Sequence, residues 1–199
     1  MHRVITVAVT LLALSTGSAV AGPPAINQLV RARLEKGEVI VREVPPTNDE
    51  GVAAKAMAIV DAPPVKVWPV VRDCQYFKDF MPRTEDSRLI ERKPGQSRCR
   101  VEIAMPFPFS NLWSIVTAVE EERPDGSFAR RWKLDEGTYA RNNGSWELFP
   151  WGDDGQRTLL IYSVDANPDI SIPDWIIRSA QTGALPDLFQ SVRKRVRRS

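Results

Sequence analysis

The chain has 199 residues, 43% of them hydrophobic and 26% charged, with a formal net charge of +2. Those values suit one globular domain and exclude a strongly basic nucleic-acid binder, so no nucleic-acid partner is expected. The single histidine is His2, at the extreme N-terminus, which excludes Ser-His-Asp and Cys-His nucleophiles and histidine-ligated metal sites from the rest of the chain.

Met1-His2-Arg3 is a short positive start. Val4 to Leu14 is apolar apart from Thr6 and Thr10, and Ala19-Val20-Ala21 precedes Gly22-Pro23-Pro24. This pattern reads as a secretory signal peptide over residues 1–21 with cleavage near Ala21, and its apolar run is too short to span a bilayer comfortably. The expected product is a soluble exported protein, periplasmic or secreted. Loss of Arg3 leaves 26 basic against 25 acidic residues, a net +1. Export brings the two cysteines, Cys74 and Cys99, into an oxidising compartment, where an even count reads as a disulfide. Cys99 also alternates with Val101, Ile103 and Met105 on an apolar face, where a buried free thiol fits equally well. Two thiols are too few for a zinc site, and no metal or cofactor is expected.

Ala25 to Lys36 reads as an amphipathic helix capped by Gly37, making residues 22–37 an N-terminal helical segment. Strands follow over Val39 to Val44 and Val52 to Val60. Pro63-Pro64 opens a helix whose stripe is Val67, Trp68, Val70 and Val71, and a second short helix holds Tyr76, Phe77 and Phe80. From Asp86 the period changes to two. Ser87 to Arg92 and Ser97 to Met105 flank the turn Lys93-Pro94-Gly95-Gln96. Asn111 to Glu122 and Phe128 to Asp135 flank Arg123-Pro124-Asp125-Gly126, and Tyr139 to Pro150 and Arg157 to Asn167 flank Gly152-Asp153-Asp154-Gly155. These hairpins describe an antiparallel meander. Leu185, Leu188, Phe189, Val192 and Val196 form one face of a C-terminal helix. Trp175, Ile176 and Ala180 continue it upstream, with a kink or break at Gly183 and Pro186. The fold class is therefore α+β: a curved antiparallel sheet wrapped around a long C-terminal helix, with short helices after the second strand. A curved sheet need not be filled completely, which leaves room for an apolar cavity under the helix.

Ala62-Pro63-Pro64-Val65-Lys66-Val67-Trp68 stands at the entry to the first helix after a long strand. Asp73, Tyr76, Phe80 and Pro82 form a D-x-x-Y…F-x-P segment, Met105-Pro106-Phe107-Pro108-Phe109 a proline-rich loop, and Ile172-Pro173-Asp174-Trp175 through Leu185-Pro186 the approach to the terminal helix. In this order the stretches resemble the helix-grip fold of the SRPBCC or START-like superfamily, which includes START lipid-transfer domains, polyketide cyclases and coenzyme Q-binding proteins. The likeness runs over roughly residues 38 to 196, so residues 38–199 are taken as a START-like domain. It implies binding of a hydrophobic ligand, often without catalysis, beneath a proline-rich loop at the cavity mouth. The chain departs from those relatives that use a cavity histidine.

Cavity or gate residues expected from the pattern are Met105, Phe107, Phe109, Trp113, Arg130, Trp132, Trp146, Trp175, Ile176 and Leu188, with Ser114 and Ser163 as further inward polar positions. Each Trp reads either as core or as an aromatic wall, and the two Phe of the loop either plug the cavity, fold onto the core, or meet a membrane or partner. Arg193, Lys194, Arg195, Arg197 and Arg198 either complement the helix dipole or attract an anionic membrane surface. Glu120, Glu121 and Glu122 at a strand end, and Asp153-Asp154 in a turn, read as solvated acids. No catalytic residue is assigned. The resulting expectation is a non-enzymatic carrier that sequesters or transfers a lipid, quinone or polycyclic molecule. The alternatives are a cyclase or aromatase acting in the same cavity with Arg130 or Asp73, and a protein-interaction module with a closed cavity.

Overall fold

The structure is a computed structural model and describes residues 23–170, 176 and 183–198. The segment expected to be a signal peptide, Trp175 with its Ile-Pro-Asp-Trp motif, and the expected upstream part of the terminal helix apart from Ile176 lie outside the described residues. Helix α1 (Gln28–Glu35) begins later than the periodicity predicts, because the Asn27 side chain accepts a hydrogen bond from the Val30 amide at 2.9 Å and sets the first turn there. Strands β1 (Ile40–Val44) and β2 (Val52–Val60) pair as a hairpin. Helix α2 (Pro64–Arg72) starts on a proline that needs no amide donor. A 3₁₀ segment over Cys74–Asp79 then leads to β3 (Thr84–Lys93).

From β3 the chain is a meander of β4 (Gln96–Ile103), β5 (Leu112–Glu122), β6 (Phe128–Gly137), β7 (Tyr139–Trp151) and β8 (Arg157–Pro168), before helix α3 (Leu185–Val196). The Pro124-Asp125 turn closes on Gly126, whose φ of 78° favours glycine and whose amide donates to the Arg123 carbonyl at 3.0 Å. One curved antiparallel sheet results, in the order β1-β2-β8-β7-β6-β5-β4-β3. This is the expected helix-grip arrangement.

The two faces of the sheet bury different things. On the inner face, α2 and α3 pack together and close over Ala54, Ala56, Ala58, Leu148, Leu160 and their neighbours. On the outer face, α1 lays Leu34, with Ile26 and Val30, over Ile59, Phe149, Trp151, Leu159 and Ile161. Glu35 fastens that helix, accepting from Trp151 Nε1 at 2.8 Å and pairing with Arg157 at 2.7 Å. Those two contacts hold the Glu35 carboxyl below the usual range. Trp151 and Trp68 are thus core residues; Trp68 stacks on Phe128 at 5.3 Å and donates to Glu122 at 3.1 Å.

Cys74 and Cys99 are joined in a disulfide with their Cα atoms 6.3 Å apart, which resolves the choice between a disulfide and a buried thiol. The bridge ties the 3₁₀ segment to β4 across a separation of 25 residues. Cys74→Ala/Cys99→Ala is expected to lower unfolding free energy by about 2–4 kcal/mol, mostly by freeing the unfolded chain. Urea unfolding of the double variant and of reduced wild type should agree.

Candidate binding cavity

Alternation along each strand decides which side chains enter the space under α3. On β5 the inward row is Leu112, Ser114, Val116, Ala118 and Glu120, all buried. On β6 it includes Arg130 and Trp132, and on β8 Tyr162, Val164 and Ala166. With Ala184, Leu185 and Leu188 above, these rows enclose a partly open cavity of about 180 Å³. One water needs only ~10–15 Å³, so this space suits an organic ligand. Aromatic rings make one wall: Tyr162 lies 5.8 Å from Trp132 and 4.5 Å from Trp146. Gly144 on β7 permits this wall, because a Cβ there would overlap the Trp132 indole and the Ser163 carbonyl oxygen.

The cavity carries a few polar groups. Trp132 Nε1 donates to Asn142 Oδ1 at 3.3 Å, and Asn142 Nδ2 donates to Ser114 Oγ at 3.1 Å. Tyr139 and Tyr162 also line the space, and burial pushes both phenols up, so they stay neutral. The Arg130 side chain is 3% exposed. Burial lowers its pKa to about 10, and Glu120 opposes that shift, so Arg130 remains a cation at neutral pH.

Six of the sequence-predicted residues line the cavity: Met105, Ser114, Arg130, Trp132, Trp146 and Leu188. Ile176 is buried in the core beside it rather than in its lining. Trp113 does not belong: with Ser114 inside, it faces outward, where the Arg100 guanidinium sits 5.4 Å from its ring. Ser163 is likewise on the outer face, opposite Lys55 and Ser145. Phe107 is 97% exposed and plugs nothing, because the turn closed by the Phe109 amide on the Pro106 carbonyl at 3.0 Å puts it at the corner. Phe109 folds onto the inner core, without entering the cavity lining.

Glu120 corrects the reading of solvated acids: its side chain is 3% exposed, and Arg72 at 2.7 Å, Arg92 at 3.3 Å and the Ser97 hydroxyl at 2.6 Å converge on it. Asp73 lies outside the cavity lining, paired with Arg92 at 3.5 Å and accepting from Gln75 at 3.0 Å. Of the basic tail, Arg193 donates to the carbonyls of Ile59 and Gly37, and Arg195 lies over Tyr76 and Phe80. Lys194, Arg197 and Arg198 are exposed. The described residues include no cluster of three or more His, Cys, Asp or Glu that could hold a metal ion.

Residues 60–193 match the family described as polyketide cyclase/dehydrase and lipid transport. The chain belongs to that family. The matched span opens at the end of β2 and closes within α3, so α1, β1 and most of β2 lie outside it. No curated protein matches the chain. Among solved structures, a STAR-related lipid transfer protein from Xanthomonas axonopodis superposes with a TM-score of 0.65 at 23% identity, covering 80% of this chain and 92% of that one. Human STARD10 gives 0.68 at 14% identity, over 80% and 69%. Human StAR-related lipid transfer protein 5 gives 0.65 at 14% identity, over 81% and 83%. At these identities the likeness is one of fold, the helix-grip arrangement.

Proposed function

We propose that this protein holds a hydrophobic small molecule or lipid in the cavity under α3 and acts by sequestration or transfer rather than by catalysis. The observation that carries the reading is the cavity itself, a space far larger than a packing defect with largely apolar walls. Membership of a family whose description includes lipid transport supports it. The titratable state of the lining points the same way. Arg130 keeps its proton to about 10, and both tyrosines are shifted upward. None of these three exchanges a proton near neutral pH as a general acid or base should. A cyclase working by positioning alone is the second reading, and Arg130 is the observation that favours it.

Export remains part of the proposal, supported by the N-terminal pattern and by the disulfide, a bond typical of oxidising compartments. Attraction to an anionic surface rests on the exposed Lys194, Arg197 and Arg198.

Native mass spectrometry of protein purified gently from its own host, followed by solvent extraction, tests the carrier reading. A stoichiometric lipid, quinone or polycyclic molecule is expected. An apo mass with no uptake from a total lipid extract would overturn it, and a bound molecule chemically altered during incubation would favour the cyclase.

A further inference from the structure

Arg130 is held in an unfinished state. It projects from β6 into the cavity lining with 3% of its side chain exposed. Its Nε is the one buried side-chain nitrogen or oxygen among the described residues without a hydrogen-bond partner. One terminal nitrogen, Nη2, reaches only the sulfur of Cys99, at 3.4 Å, and sulfur is a weak acceptor. The nearest carboxylate is Glu120, whose Oε1 stands 4.0 Å from Nε. That carboxylate is already engaged by Ser97 on one oxygen and by Arg72 and Arg92 on the other. Glu120 therefore stabilises the charge of Arg130 without satisfying its donors. A buried guanidinium with an unmade hydrogen bond is costly, and an acceptor that completes it gains accordingly.

The rest of the cavity narrows what that acceptor is. Among the described residues the lining contains no Asp or Glu, and its two charged members, Arg83 at the exposed rim and Arg130 within, are both cationic. The other polar chain, Trp132 to Asn142 to Ser114, is bonded within itself. Phe77 and Trp132 flank the guanidinium at 5.9 and 5.8 Å and also face the cavity, so an apolar body can lie against them while its head meets Arg130.

We propose that the ligand is an apolar chain or fused ring bearing an anionic oxygen group, a carboxylate or acidic enol, and that Arg130 anchors that group inside the cavity. The inference rests on the carrier reading and adds the charge of the cargo. Cationic or zwitterionic heads, by this account, are disfavoured because no acid among the described lining residues receives their positive end.

The test is calorimetric titration of the full protein with two matched pairs: palmitate against hexadecanol, and anthracene-2-carboxylate against anthracene-2-methanol. Each acid is expected to bind wild type about tenfold or more tightly than its alcohol. The pair showing the larger ratio distinguishes an acyl chain from a ring as the apolar body. In Arg130→Met the acid-to-alcohol ratio should fall to about one, and in Arg130→Lys it should stay well above one. The wild-type ratio decides the matter even where a variant fails to fold. Equal binding of acid and alcohol to wild type would overturn the anionic anchor and leave the carrier reading standing. Binding of none of the four probes would remove both.

Discussion

Glu120→Ala is expected to destabilise the fold by about 3–5 kcal/mol, read as the fall in unfolding free energy from urea titration at neutral pH. The size follows from where the three arginines are left. Arg72 keeps Glu122 at 3.6 Å, and Arg92 keeps Asp73 at 3.5 Å, and both arginines are about a third exposed. Arg130 is 3% exposed and has no other carboxylate within ion-pair distance among the described residues. The loss therefore concentrates on one buried cation without a counter-charge, the case in which removing one partner costs most. Glu120 also joins elements distant in sequence, taking donors from α2, β3 and β4 while facing β6, so its removal loosens the seat of α2 as well. The double variant Glu120→Ala/Arg130→Met should recover a large part of the loss, because the stranded charge is gone. A loss below 1 kcal/mol, or a double variant no better than the single one, would show that Arg130 does not depend on Glu120.

The position of Glu120 was readable and was missed for an identifiable reason. Val116 and Ala118 face inward on β5, and two residues further the same alternation brings Glu120 inside, while one residue back from Ser114 it puts Trp113 outside. Reading the acids from their place at a strand end leaves that alternation unused, and naming both Trp113 and Ser114 as inward leaves the parity of the strand open. Ser163 is a different case. Thr158-Leu159-Leu160-Ile161 is buried on both faces because α1 covers the back of the sheet there. Alternation is lost over that stretch, and with it the parity that would have put Tyr162 inside and Ser163 out. On β7 a register shift between Tyr139 and Arg141 hides Tyr139 and Asn142 in the same way. The elements themselves were legible because turns and prolines punctuate them: Val52–Val60 and the 64–72 helix are where the pattern places them. The disulfide depended on a distance between the 3₁₀ segment and β4 that no local pattern encodes.

Trp146→Ala is expected to cost about 3–5 kcal/mol and to be rescued in part by free indole. Trp146 is 2% exposed and belongs to two structures at once. One side faces the cavity with its ring 4.5 Å from that of Tyr162, and Phe189 of α3 lies 6.1 Å from it. Truncation removes both a cavity wall and part of the seat of the helix that roofs the cavity. The new void opens into a space already shaped for apolar matter, and engineered apolar voids of this kind bind small aromatic molecules. Indole at about a hundredfold excess over its dissociation constant would return about 2.7 kcal/mol by mass action. Thermal melts should therefore show indole raising the Tm of Trp146→Ala by several degrees more than that of wild type. The same variant should bind hexadecanol more weakly than wild type, because the ring that backs the ligand is absent and α3 is less firmly held. Equal indole shifts in both proteins, with the stability loss undiminished, would mean that α3 sinks into the vacated space. In that case the cavity is held open by the curvature of the sheet and not by the aromatic wall.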